Sequence, residues 1–142
     1  GEFSHLMEVV VEDFRTPDND KEASARLPYV VMQGQELFKI AVNSMAEAVE
    51  QVLKKAGITI ADVDCVVPHQ ANDRIITAVA KKLEIPKEKI FINIDRYGNM
   101  SAASIAVALQ EAVESGRITK GSTVVLVAFG AGLVAGANVV QW

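Results

Sequence analysis

The chain has 142 residues, 50% of them hydrophobic, with 14 basic and 18 acidic side chains and a net charge of −4. That is the size of one domain with one core, and the ordinary aromatic and charged fractions, 6% and 23%, exclude extended disorder. The mildly acidic balance argues against nucleic acid as a partner. The longest apolar run, 124–137, is too short and too glycine-rich for a membrane span, and the single cysteine, Cys65, leaves no internal disulfide. With nothing resembling a signal peptide, a cytoplasmic location is expected.

Residues 1–7 read as a cloning scar before a start methionine, which discounts His5 and leaves His69 as the informative histidine. Residues 8–26 are expected to be irregular, with the turn formers and charges of 13–21 in a surface loop. Residues 27–142 read as one domain. Over 35–55, Leu37, Ile40, Ala41, Met45, Ala48, Val49, Val52 and Leu53 recur at three-and-four spacing, the mark of an amphipathic helix, which Gly57 ends. A β-branched strand over 63–67 stops at Pro68, and Asn72 is placed to cap a helix over 73–83 that Pro86 closes. Residues 90–94 read as a strand, 96–99 as a turn, and Ser101 as the cap of a third helix running to Ser115 and Gly116. An apolar strand over 123–129, the loop Gly130-Ala131-Gly132 and a last strand over 133–140 complete the chain.

The order α-β-α-β-α-β-β predicts an α/β fold with a mixed, mostly parallel sheet, its first three strands parallel. Residues 124–129 are apolar on both faces and belong in the middle of a covered sheet. The third helix is apolar nearly all round (Ala102, Ala103, Ile105, Ala106, Leu109, Val113), so it is expected to be a buried central helix. A lone domain of this size would leave one side of it in water, which implies a second layer outside this chain.

Parallel strands joined by right-handed crossovers end at one sheet edge, and ligands bind beyond those carboxyl ends. Three loops fall there: Pro68-His69-Gln70-Ala71-Asn72, Tyr97-Gly98-Asn99-Met100-Ser101 and Gly130-Ala131-Gly132. They offer an imidazole, a carboxamide and backbone amides flanked by glycine, a set suited to stabilising an oxyanion or enolate. Each group also has a plainer reading, as a cap or a turn residue, and it is their convergence that points to chemistry. Cys65, beside Val66 and Val67, reads as a small core hydrophobe. One histidine with scattered aspartates makes no metal-ligand pattern, so no metal and no bound cofactor are expected. The glycines after 124–129 half resemble a dinucleotide fingerprint, but no helix or acidic residue follows them.

At Val67-Pro68-His69-Gln70-Ala71-Asn72, Arg96-Tyr97-Gly98-Asn99-Met100-Ser101-Ala102-Ala103-Ser104 and Ala128-Phe129-Gly130-Ala131-Gly132, the chain resembles the carboxyl-terminal half of β-ketoacyl-acyl-carrier-protein (ACP) synthase III, a condensing enzyme of the thiolase fold. Met32-Gln33-Gly34-Gln35-Glu36-Leu37-Phe38-Lys39 resembles the same family's approach to this half, and the likeness runs over 27–142. It implies that His69 and Asn99, in neutral form, donate hydrogen bonds to the thioester carbonyl of a malonyl group as it loses carbon dioxide. Ala131 stands where the family has the middle glycine of a triplet whose backbone amide serves the acyl oxyanion hole. Gly34, Phe38, Ala71 and Asn72 match positions lining the pantetheine tunnel for coenzyme A and carrier-bound substrates, and Lys39 and Arg74 match basic positions facing acyl carrier protein.

The resemblance also implies an absence, because the family's nucleophilic cysteine and much of its acyl-CoA site lie in an amino-terminal half that this chain does not contain. Cys65, on a strand four residues before His69, does not match the nucleophile, which belongs at a helix start where the dipole lowers its pKa. The leading expectation is thus the carboxyl-terminal domain of an enzyme that condenses an acyl-CoA starter with malonyl-ACP in fatty-acid biosynthesis, inactive as an isolated chain. In this chain the unfilled helix face is expected to drive homodimerisation. The competing class is a non-catalytic pantetheine-binding or assembly domain, and within the family a secondary-metabolite condensing or acyl-transfer relative.

Overall fold

The computed structural model describes residues 7–10, 29–32 and 34–142; the expected loop over 13–21, residues 1–6 and Gln33 lie outside the described residues. Strand β1 (Met7–Val10) pairs antiparallel with β2 (Tyr29–Met32), Met7 opposite Met32. This replaces the irregular course expected over 8–10 by a strand, while the rest of that segment, 11–26, lies outside the described residues. Val9, Val10, Val30 and Val31 are β-branched and suit a pleated pair, but strands this short show no periodicity to read.

Helix α1 (Gly34–Ala56) has Glu36 in its first turn and Lys54 and Lys55 in its last, charges that complement the helix dipole. Leu37, Ala41, Met45, Val49 and Leu53 form its buried stripe at intervals of four. Burying each large side chain of that stripe contributes about 1.5–3 kcal/mol. After a short 3-10 turn at Ile60–Asp62 come β3 (Cys65–Pro68) and α2 (Asp73–Lys82). The Asn72 cap forms as expected: its Oδ1 accepts the Arg74 N–H at 2.9 Å, a bond whose loss would cost about 1 kcal/mol.

Strands β4 (Thr123–Gly130) and β5 (Val134–Gln141) close a sheet of order β3-β4-β5, with β4 in the middle as its apolar sequence predicts. Alternation along the strands divides the interior. Val66, Val125 and Val127 pack with α1 and α2, whereas Cys65, Val67 and Val124 pack with Ala108, Ala112 and Ile118 on the opposite face. The result is three layers, helices, sheet and helix, with β3 parallel to β4 so that both end at one edge.

Three expectations are corrected here. The strand expected over 90–94 reduces to a single parallel bridge, Val66 to Ile90, because the chain leaves the sheet once the Asn93 N–H is taken by the Gln70 side chain instead of a strand partner. It then turns into α3 (Ile94–Tyr97). With that strand gone, the sheet is not mostly parallel: β4 has one parallel and one antiparallel neighbour. Ser101 is not a cap, since α4 (Ala103–Glu114) starts after Ala102, without a side-chain cap. Ser101 instead sits at φ 54° in the preceding turn, its N–H donated to Asn99 Oδ1.

Helix α4 buries Ser104, Ala108 and Ala112 beside β3, but Ala106 is exposed and Ile105, Leu109 and Val113 are only half-buried. Burial on all sides is therefore not achieved within this chain, and the apolar far side of α4 is left without a covering layer among the described residues.

Candidate active site

Past Pro68 the parallel ladder continues for one more bond, from the His69 N–H to the Val127 carbonyl at 2.7 Å. That bond sets His69 at the carboxyl end of β3, beside the end of β4, where the ring meets Phe129 edge-on with centroids 5.9 Å apart. The His69 side chain is half-buried, and burial pushes its pKa below the ordinary histidine value. A neutral imidazole at pH 7 follows. Its Nδ1 lies 2.6 Å from Ser104 Oγ, in the first turn of α4, and the Ser104 hydroxyl donates to the Ser101 carbonyl at 2.7 Å.

Asn99 is reached through the same turn. Its Oδ1 accepts the Ser101 N–H at 2.9 Å, which fixes the orientation of the amide and leaves Nδ2 as the donor end, without a hydrogen bond among the described residues. His69 and Asn99 thus hang from one connected set of bonds through Ser104 and Ser101, although 30 residues separate them in sequence. Ser104 was not singled out from the sequence, and as a buried serine among alanines it carries no periodic signal there.

Two further buried polar groups hold the loops in place. Gln70 is fully buried: its Nε2 donates to the Pro68 carbonyl at 2.8 Å and to the Phe91 carbonyl at 3.3 Å, while its Oε1 accepts the Asn93 N–H at 3.0 Å. Asn93 donates its Nδ2 to Glu111 at 2.8 Å and keeps a buried Oδ1 without a partner among the described residues. Glu111 also accepts from Arg96 through both terminal guanidinium nitrogens and from the Tyr97 hydroxyl, pinning the turn before Asn99 to α4. The Tyr97 hydrogen bond foremost, with that from Asn93, holds the Glu111 carboxyl below the usual range.

Ala131 follows the end of β4 and is exposed, with its backbone at the same sheet edge as His69. Of the positions expected along a pantetheine tunnel, Ala71 and Asn72 line one groove of about 690 Å³ together with Asp73, Lys87, Ile92, Ile94 and Asp95. Gly34 and Phe38 do not line it; Gly34 is exposed at the start of α1, and Phe38 packs against the α1–α2 core. Lys39 and Arg74 are exposed on α1 and α2. Cys65 is fully buried, and burial pushes its thiol pKa up, the opposite of an activated nucleophile. No cluster of metal-ligating side chains occurs among the described residues.

A three-layer α/β domain with a histidine and an asparagine brought to one sheet edge defines half of a thiolase-type condensing fold. Residues 53–142 match the family model of the 3-oxoacyl-[acyl-carrier-protein (ACP)] synthase III C terminal, and the chain belongs to that family. It is 52% identical over 128 residues to β-ketoacyl-ACP synthase III of Symbiobacterium thermophilum, covering 90% of this chain and 39% of that protein. Over its full length it is 47% identical to the Clostridioides difficile protein of the same name, covering 43% of it. The crystal structure of the Thermus thermophilus β-ketoacyl-ACP synthase III superposes over the whole chain with a TM-score of 0.85 at 43% identity, again covering 43% of that protein. The chain thus spans about two-fifths of the length of the relatives it matches.

Proposed function

We propose that this chain is the part of a β-ketoacyl-ACP synthase III that drives decarboxylation of the extender unit, within an enzyme that condenses an acyl-CoA starter with malonyl-ACP. The observation that carries this reading is the joint anchoring of His69 and Asn99 through Ser104 and Ser101 at the carboxyl edge of the β3–β4 pair. Loss of carbon dioxide from a malonyl thioester leaves a pair of electrons that the thioester carbonyl must absorb, so negative charge grows on its oxygen. Neutral N–H donors held in place before the reaction stabilise that charge without reorganising. Asn99 Nδ2 and the His69 imidazole supply two of them. The enolate carbon would then attack an acyl group held on the cysteine of the amino-terminal half, forming the carbon–carbon bond as the carbon–sulfur bond breaks and the cysteine thiolate leaves, with the Ala131 amide offered to the acyl oxyanion.

The remaining roles follow from position. Ala71 and Asn72, in the groove past β3, are offered to the pantetheine arm, whereas Gly34 and Phe38, at the start of α1, stay outside that groove. Lys39 and Arg74 on the exposed helix faces suit an acidic carrier protein. The test uses the chain joined to its cysteine-bearing half. His69→Ala and Asn99→Ala are each expected to slow malonyl decarboxylation by about 10²-fold or more, while acylation of the cysteine suffers less. Normal decarboxylation with failed acylation in both variants would overturn the assignment.

A further inference from the structure

We infer that Glu111 is a positioning residue for Asn99: from α4 its carboxylate clamps both ends of α3, and so fixes where the donor amide of Asn99 stands. The four residues of α3 are too few for a helix that stands by itself, and no side chain caps its amino terminus. Gly98, at φ 66°, then turns the chain into Asn99 with a backbone conformation that favours glycine. The segment therefore depends on its tethers. Glu111 Oε1 accepts from the Tyr97 hydroxyl at 2.7 Å and from Arg96 Nη1 at 3.0 Å, while Oε2 accepts from Asn93 Nδ2 at 2.8 Å and from Arg96 Nη2 at 2.7 Å. Asn93 precedes the first residue of α3 and Tyr97 is its last, so one carboxylate spans the whole turn. Asn93 is held in addition by Gln70, the residue after His69, which ties the asparagine loop to the histidine loop.

A surface ion pair with Arg96 is the plainer reading of Glu111, and such pairs carry little. Two observations go beyond it. The Glu111 side chain is only 17% exposed, and two of its donors are uncharged, one of them on fully buried Asn93. Asn99 is thus held from α4 on both sides: through Glu111 before it, and after it through Ser101, whose N–H donates to Asn99 Oδ1 and whose carbonyl accepts the Ser104 hydroxyl. The catalytic consequence rests on the synthase reading. A donor stabilises growing charge in full only when it is fixed before the reaction, and a misplacement of about 1 Å costs up to about 10²-fold.

The test uses the chain joined to its cysteine-bearing half. Glu111→Gln keeps the size of the side chain but turns one acceptor oxygen into a donor, and it is expected to slow malonyl decarboxylation by about tenfold, with cysteine acylation near the parent rate. Tyr97→Phe, which deletes one bond at an exposed position, is expected to cost about threefold. In an Asn99→Ala background both substitutions should cost nothing further, because a residue that acts through Asn99 has nothing left to position. Parent-like decarboxylation in Glu111→Gln, or the same loss in both backgrounds, would overturn the inference; if Glu111→Gln does not fold, Tyr97→Phe carries the same comparison. The function reading fails separately, by parent-like decarboxylation in Asn99→Ala. The position of Asn99 is then read from its side-chain amide in ¹H–¹⁵N spectra of the labelled 142-residue chain, as the signals lost in Asn99→Ala. In Glu111→Gln they should move to the shifts of a free asparagine, and unchanged signals would overturn the role of Glu111 by themselves.

Discussion

Gln70 Oε1 accepts the backbone N–H of Asn93 at 3.0 Å, joining two fully buried residues from different loops. This bond takes the chain out of the sheet after Ile90 and aims it into α3, the turn that precedes Asn99. The Gln70 amide is the keystone between the histidine loop and the asparagine loop. Gln70→Leu fills similar space but leaves the Asn93 N–H buried without its acceptor. The expected loss is about 1–3 kcal/mol, read as a lower urea midpoint with an unchanged slope; an unaltered midpoint would show that the bond carries no weight.

Stability should depend on pH through His69. Burial lowers its folded pKa below the value of about 6.5 that it has when unfolded. Below pH 6.5 the unfolded state therefore takes up the proton first. The contribution of His69 is complete above the unfolded pKa and is lost as pH falls through the folded one. Denaturation midpoints measured between pH 8 and pH 5 should fall toward acid, and His69→Gln should flatten that segment. A variant with the same slope as the parent would assign the dependence to other groups.

Cys65 is expected to be chemically silent. With the thiol fully buried and its pKa raised, incubation of this chain with radiolabelled acetyl-coenzyme A should leave no hydroxylamine-labile label, and thiol reagents should react only on unfolding. Stoichiometric acylation of Cys65 would contradict both its burial and the absence of a nucleophile from this chain.

The far side of α4 should seek a cover. Ala106 is exposed and Ile105 is half-buried, while Leu109 and Val113 pack only in part against the core, so docking against an apolar face recovers part of the roughly 1.5–3 kcal/mol that each large side chain yields on full burial. In this chain alone, a second copy is the expected partner at micromolar concentration. Ala106→Lys would place a charge in the contact and weaken it. Sedimentation equilibrium of a folded monomer up to about millimolar concentration, far above the ~1 µM that corresponds to −8.2 kcal/mol, would refute it.

Local signals were legible with one exception, the Ser101 cap, which gave way to a turn at positive φ. The four-residue stripe of α1, the Asn72 cap and the continuous apolar run of β4 depend on neighbours within a turn or on burial from both sides, and all three form as expected. The loops bearing His69 and Asn99 were also visible, since their glycine, proline and amide residues break the periodic pattern. Residues 90–94 failed for an opposite reason. Their apolar pattern suits a strand, but one side-chain acceptor from 23 residues away takes the Asn93 N–H that a longer ladder would need.

The sequence by itself determined the α/β class, the central strand and the loops that carry His69, Asn99 and Ala131. Only the tertiary structure decided what holds those loops: Gln70 on Asn93, Glu111 gathering Arg96, Tyr97 and Asn93, and Ser104 on His69. Helix and strand patterns arise from the period of the backbone, which repeats along the chain and can be read from it. The partner of a buried polar atom is chosen by proximity in space, where a wrong choice leaves a donor or acceptor unpaired at a cost of about 1–3 kcal/mol. Nothing along the chain encodes that proximity until the sheet has brought residues 69 and 104 together.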